Sequence, residues 1–380
     1  MADPLTPSGN MADAPRPGAD VILVGAIRPA LEDRRIGGQA FACRSLLDSR
    51  LSRRYRIHPI DSSIASIQSR SGIRRIPSAI ARIARFFWLL VSRRGDACLL
   101  FCSYGLSFIE KGSMALMARL FGSTVLLMPR SGHLLAQIER SRGFRAWVRF
   151  VLRHGGMVVC QSESWRAYFD GLSGGRGRFL VIENWLADSA FCSPDAPLST
   201  SGSGEFVVGY LNRIERTKGI FDFLEVVRLA SARVPNLRAV VYGDGSQLAE
   251  MRQWIDAQDM HEAIVYGGWV DGAAKTDALR KLDAYLFTSH IEGFPNSLLE
   301  ALALKVPSVS VTVGAVGDVL THGESGLLAP VGDVALMAEY LVQLANDESL
   351  RRRLAETAYA RVRRCNTIEQ AVTKLEGVIG

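Results

Sequence analysis

Residues 284–304 read AYLFTSHIEGFPNSLLEALAL: an apolar strand, a polar loop and an apolar helix. The segment carries two carboxylates, Glu292 and Glu300, with seven residues between them. Gly293 permits close backbone approach, and Pro295 suits the first turn of a helix opening at Pro295 or Asn296. Glu300 interrupts an otherwise apolar run, where an unpaired carboxylate would be costly and a polar ligand would satisfy it. The plainer alternative is two solvated glutamates. Upstream, in GYLNRIERTKGI, Arg213 and Lys218 follow another strand-like run. They are either a surface pair or an anion site. A nucleotide diphosphate sugar asks for such a set: cations and free N–H groups for its diphosphate, a carboxylate for its ribose diol, and short polar groups beside a tight loop for its sugar.

Two features of the first half bear on the same chemistry. Ile36-Gly37-Gly38 follows the opening strand, and a Gly37-Gly38 turn before a helix either reverses the chain or brings backbone close to a phosphate or acceptor. MPRSGHLL places Arg130 and His133 just after a strand, where each is either structural or part of a cleft. The six cysteines lack paired metal spacing, and Cys98 and Cys102 fall in an apolar run that suits buried thiols. No metal site is expected, and a reducing, cytoplasmic compartment fits.

These residues need strands that end at one edge. Val21–Ile27, Cys98–Ser103, Ser123–Met128 and Met157–Cys160 read as buried parallel strands in the first half. Phe206–Tyr210, Arg238–Tyr242, Ala263–Tyr266, Ala284–Thr288 and Ser308–Thr312 repeat the pattern in the second. Helix-length segments such as Phe221–Ala232, Gly272–Leu282 and Asn296–Leu304 lie between strands. The expected fold class is α/β, with two doubly wound, Rossmann-like parallel sheets. Such sheets bind ligands at the carboxyl ends of their strands. A disordered tail over 1–19 and domains over 20–195 and 205–365 are expected, with a segment over 366–380 that returns to the first domain. The Pro-, Ser- and Gly-rich stretch within Cys192–Glu205 is the expected linker.

Apolar residues make up 48% and charged residues 22%, a globular balance. No apolar run nears the ~20 residues of a membrane span; in Met114–Met128, Arg119 and Gly122-Ser123 interrupt. The tail has no apolar stretch of the kind a signal peptide carries. Residues 51–150 hold 17 basic and 4 acidic residues, which implies an anionic neighbour. Within them, IRRIPSAIARIARFFWLLVSRR repeats Ile76, Ile80, Ile83, Phe87 and Leu90 at helical spacing. This helix either packs on the first sheet or lies in a membrane interface with Phe86, Phe87 and Trp88 in lipid. No nucleic-acid-binding motif accompanies the charge, so nucleic acid is not the expected partner.

The run SHIEGFPNSLLEALALKVPSV resembles the signature of the glycosyl transferases group 1 family, retaining enzymes with the GT-B fold. GYLNRIERTKGI, VVYGDGS, GAVGDVLTHGESGLLAPVGD and VIENWLADSAF resemble further family segments in the same order, so the likeness covers roughly residues 20–365. The resemblance implies that Glu300 holds the ribose hydroxyls and Glu292 sits beside the transferred sugar. Backbone around Gly293, Phe294, Pro295 and Asn296 would contact that sugar. Gly243, and Gly37 and Gly38, would belong to the donor site. Arg213 and Lys218 would neutralise the leaving diphosphate in place of a metal, with no cofactor. The family often has a sugar-contacting His near His133, and a subgroup has a Pro-Arg-Gly motif near Arg130. The implied partners are a nucleotide sugar donor and a saccharide or lipid-linked acceptor, at the inner face of the cytoplasmic membrane. Lys305, Asp318, Ala315 and Trp185 depart from the residues usual at their places. A silent sugar-binding subunit, a nucleotide-sugar epimerase and a phosphorylase are the rival readings. The epimerase lacks the four charged residues in this order, and a phosphorylase would need a cofactor lysine and a far longer chain.

Overall fold

A computed structural model of the chain describes residues 18–27, 38–63, 76–93, 95–198 and 204–380. The stretch expected to be a tail falls outside them up to residue 17, as does Gly37. Twelve strands form two six-stranded sheets, and every pairing within them is parallel. The first contains β1 (Asp20–Gly25), β2 (Arg56–Asp61), β3 (Ala97–Cys102), β4 (Thr124–Pro129), β5 (Met157–Cys160) and β6 (Arg178–Val181), in the order β2-β1-β3-β4-β5-β6. The second contains β7 (Phe206–Leu211), β8 (Leu237–Tyr242), β9 (Ile264–Gly268), β10 (Ala284–Phe287), β11 (Ser308–Val311) and β12 (Leu327–Ala329), in the order β12-β11-β10-β7-β8-β9. In the second sheet the strand order reverses between β7 and β10, which opens a crevice beyond their carboxyl ends.

One face of the first sheet carries α3 (Ile76–Arg93), α4 (Leu106–Leu120), α5 (His133–Arg140), α6 (Arg142–His154) and α7 (Glu163–Ser173). Their inward residues, among them Phe86, Phe108, Val148 and Phe169, share one core. The other face carries α1 (Gly38–Asp48), the short α2 (Leu51–Arg54) and, from the far end of the chain, α15 (Ile368–Ile379). Ile368, Val372 and Leu375 of α15 pack with Val21, Leu23 and Leu46, and Arg50 and Arg54 pair with Glu376 at 3.1 and 3.2 Å.

The chain leaves the first core at Trp185 and enters the second at Leu186, earlier than the Pro- and Ser-rich stretch suggests. That stretch lies along the second domain because Lys305 grips it. The Lys305 ammonium, 2% exposed, donates to the carbonyls of Pro194 (2.7 Å) and Ala196 (3.0 Å) and pairs with Glu356 at 3.0 Å. Its backbone is left-handed (φ 59°), the conformation that glycine adopts most readily. The buried stripe of α3 also differs from the expected one. Phe86, Leu89 and Leu90 face the core, whereas Ile80, Phe87, Trp88 and Val91 are exposed. Phe86 therefore belongs to packing and not to a lipid-facing surface. Among the described residues no helix is long and apolar enough to cross a membrane.

Candidate active site

A cleft of about 1110 Å³ lies between the two domains. Every described residue singled out from the sequence lines it: Gly38, Arg130 and His133 from the first domain, and Arg213, Lys218, Gly243, Gly293, Phe294, Pro295, Asn296, Glu292 and Glu300 from the second.

The second-domain wall is built on the strand-order reversal of its sheet. After β7 the chain makes a loop and a single 3-10 turn, Arg216–Lys218, before α8 (Ile220–Ser231). The hydroxyl of Tyr210, at the end of β7, donates to the carbonyls of Arg213 (2.7 Å) and Lys218 (3.2 Å), so both cations hang from one fixed point. Burial first, then Tyr285 and two glutamates, hold that hydroxyl well above its ordinary pKa, and it stays a donor. The turn docks on the loop after β10: the amides of His290 and Ile291 donate to the Thr217 carbonyl, at 3.0 and 3.3 Å. Gly219 makes the docking possible, because its φ is 70° and a Cβ there would sit 1.9 Å from the Thr288 carbonyl oxygen. As a result Lys218 donates to Glu292 Oε2 at 2.6 Å and to the Ile291 carbonyl at 3.0 Å. Arg213 is more exposed and pairs with Glu215 at 2.7 Å.

Pro295 precedes α11 (Asn296–Ala303), which carries Glu300 one turn inside. The sequence suggests a buried, unpaired carboxylate, but Glu300 is a quarter exposed and Lys275 pairs with it. Lys275 comes from α10 (Gly272–Arg280), 25 residues upstream, and no motif marks it. The Lys275 ammonium meets Glu300 Oε2. Gly243 takes φ 150°, and a Cβ there would lie 1.9 Å from the Asn212 carbonyl oxygen, so this strand end presses on the Arg213 loop.

The first-domain wall presses close. A Cβ on Gly132 would lie 2.7 Å from the Glu292 carbonyl, and one on Gly38 would lie 2.5 Å from Asn296 Nδ2. His133 opens α5, is exposed, and its ring lies 5.3 Å from that of Tyr104. Arg130 is held differently. Its guanidinium lies over Trp185 (4.5 Å) and Phe101 (5.4 Å) and donates through Nη1 to Asn184 Oδ1. Nε and Nη2 are sealed from solvent with no hydrogen-bond partner, and burial lowers the pKa to about 10, so the group stays charged at neutral pH. Trp185, in a place where the family usually has Gly, supplies the ring below Arg130 and donates to Ser45 Oγ at 2.8 Å.

Asn184 and Gln161 were not singled out as site residues. Gln161 donates to Asn184 Oδ1 at 2.6 Å, and Asn184 donates to Asn296 Oδ1 at 2.7 Å. Asp318, another departure, accepts a 3.1 Å hydrogen bond from Ser164 of the first domain.

Residues 198–361 match the family model described as glycosyl transferases group 1. A 2-deoxystreptamine N-acetyl-D-glucosaminyltransferase of Niallia circulans is 30% identical over 170 residues, 45% of this chain and 44% of that one. The chain spans about half the length of the curated relatives it matches: 44% of this one, 41% of a capsular polysaccharide biosynthesis glycosyltransferase of Staphylococcus aureus and 59% of a lipopolysaccharide core biosynthesis glycosyltransferase of Rhizobium meliloti. A sucrose-phosphate synthase from Thermosynechococcus elongatus has the same fold at TM-score 0.77 and 17% identity, over 95% of this chain and 98% of that one. HepE from Anabaena, solved with UDP and glucose, matches at TM-score 0.68 and 16% identity, over 95% of this chain and 99% of that one. The two facing doubly wound sheets are the GT-B fold, and the second of them lies in the stretch that matches the glycosyl transferases group 1 model.

Proposed function

We propose that this chain transfers a hexose-type sugar, with retention, from a nucleotide diphosphate sugar to a saccharide or lipid-linked acceptor. The observation that carries the reading is the joint placement of Lys218, Glu292, Arg213 and Glu300 on one wall of the interdomain cleft. In the proposed reaction the bond from the sugar's anomeric carbon to the diphosphate breaks, and a bond to the acceptor oxygen forms on the same face. The acceptor's proton passes to the leaving diphosphate. Negative charge grows on that diphosphate in the transition state, where Lys218 and Arg213 stabilise it without a metal. Glu300, paired with Lys275, accepts hydrogen bonds from the ribose diol. Asn296 and the backbone after Glu292 hold the sugar.

The test is a thermal-shift screen against UDP-, GDP- and ADP-sugars, followed by mass analysis of products and assignment of the anomer formed. The name of the Niallia circulans relative makes an N-acetylglucosamine donor the first to try. Silence with every donor, in both stability and release of free nucleotide diphosphate, would leave a sugar-binding subunit as the better reading.

The same proposal includes attachment to an anionic membrane. Ten of the thirteen large apolar side chains exposed among the described residues lie in the first domain, between Ile80 and Phe150. That concentration marks one domain as the contacting one. Phe87 and Trp88 on α3, with Leu120 and Phe121 at the end of α4, supply the apolar part, with Arg85, Arg93 and Arg119 on the same two helices. Phe87→Ser/Trp88→Ser should abolish sedimentation with anionic vesicles; full retention would remove α3 from the contact.

A further inference from the structure

A second feature of the first domain lies outside the cleft and outside the basic stretch around α3. On α6, Arg142, Arg145, Arg149 and Arg153 follow one another at helical spacing on one exposed edge. Together with Phe150 and His154 they line a groove of about 670 Å³ against the end of α7. Of the four, only Arg145 has a carboxylate, Glu139 at 3.6 Å. Arg153 donates to the Ser173 carbonyl at 2.7 Å, and among the described residues Arg142 and Arg149 have no ion pair. The charges repel one another: loss of solvation, then Arg149 and Arg176, lower the Arg153 pKa. Gathering unpaired guanidinia serves no packing purpose, since the inward face of α6 is already filled by Phe144, Val148, Val151 and Leu152.

We propose that this groove seats the phosphates of anionic lipid headgroups. Guanidinium matches phosphate in charge and in its paired donors. The groove belongs to the same helical layer as the apolar surface, since α3 packs on α4 and α4 packs on α6. Phe150, 48% exposed and 4.8 Å from the His154 ring, puts an apolar side chain among the arginines, as an interfacial contact needs. The inference rests on the membrane attachment proposed above and extends it to a separate element, α6.

The experiment measures partition of the full chain onto phosphatidylcholine vesicles with and without phosphatidylglycerol, for the parent and for Arg142→Gln/Arg149→Gln. These two side chains hold nothing in the fold, so melting temperature and donor hydrolysis should be unchanged. Removal of two charges is expected to weaken binding to the anionic vesicles roughly 25-fold, about fivefold for each arginine. It should also flatten the salt dependence and leave binding to neutral vesicles as it was. Parent-like partition of the double variant, with the parent itself binding, overturns the headgroup seat and spares the attachment. Failure of the parent to bind anionic vesicles overturns both. A self-associated parent that the double variant turns into monomers would assign the groove to a second copy and overturn the lipid reading.

Discussion

Asn184 of the first domain donates a 2.7 Å hydrogen bond to Asn296, the residue that opens the helix bearing Glu300. The oxygen of the same Asn184 amide accepts from Arg130 and Gln161, so one amide joins a buried cation to the second-domain wall of the cleft. A third anchor comes from the chain's last crossing: Asn366 donates to the Asn184 carbonyl at 2.8 Å.

Asn184→Ala should therefore act on both stability and donor capture. It strands the charged Arg130 without its hydrogen bond, which should cost about 1–3 kcal/mol, and frees Asn296. Asn184→Asp separates the effects. A carboxylate can pair with Arg130 but cannot donate to Asn296, so stability should recover while donor KM stays raised. Equal recovery of both quantities would show that the interdomain bond is irrelevant to capture.

Much of this site was legible because it is local. Glu292 and Glu300 lie within one strand-loop-helix unit, and Arg213 and Lys218 within one strand-turn-helix unit, so periodicity and turn residues place each pair. The links between units were not legible. Lys275 meets Glu300 only because α10 packs beside α11, and no spacing encodes that contact. The edge strand β2 is not legible for a different reason. β2 reads RIHPID, and Arg56, His58 and Pro59 break the apolar run that marks a buried strand; an edge position tolerates all three. In α3 the apolar spacing does not say which side is buried, since the exposed face is apolar too: of the repeating residues Leu90 faces the core, whereas Ile80 and Phe87 are exposed.

Acid should loosen the layer that carries the apolar surface. Glu110 of α4 is buried. Burial raises its pKa, but hydrogen bonds and charge from Arg82 (2.7 Å) and Lys111 (2.8 Å) outweigh that and hold it below the ordinary 4.5. A carboxylate with a lowered folded pKa stabilises above its unfolded value and loses that contribution as pH falls through the folded one. Melting temperature should drop below pH 4.5, and less steeply for Glu110→Gln, which starts lower at pH 7. Parallel pH profiles for parent and variant would show that this group is not the source.

Thiol chemistry should divide the six cysteines, all of them free. Burial pushes Cys43, Cys98, Cys102 and Cys160 up to about 12, so at pH 8 they are protonated as well as inaccessible. A disulfide reagent on the native protein should modify at most Cys192 and Cys365, and all six once urea is added. Rapid reaction of a third thiol would mean that a strand core opens in the native state.

The kinetic prediction separates the two halves of the donor site. In the proposed reaction Lys218 stands where charge appears only as the bond to the diphosphate breaks, so its contribution would be larger in the transition state than in the bound donor. Lys218→Ala should lower kcat by roughly 10²–10³, with a smaller change in KM. It also leaves Glu292 without its cation, so Lys218→Arg, which keeps the charge but not the shape, should recover part of the rate. In the same proposal Glu300 meets a ribose that does not change during reaction. Glu300→Gln should raise donor KM by about 10-fold or more, the value of a charged hydrogen bond, with kcat nearly kept. The readout is initial rate against donor concentration. Parent-like kinetics in both variants would place the donor elsewhere in the cleft. A kcat loss for Glu300→Gln equal to that for Lys218→Ala would mean that ribose binding and bond breakage are not separable here.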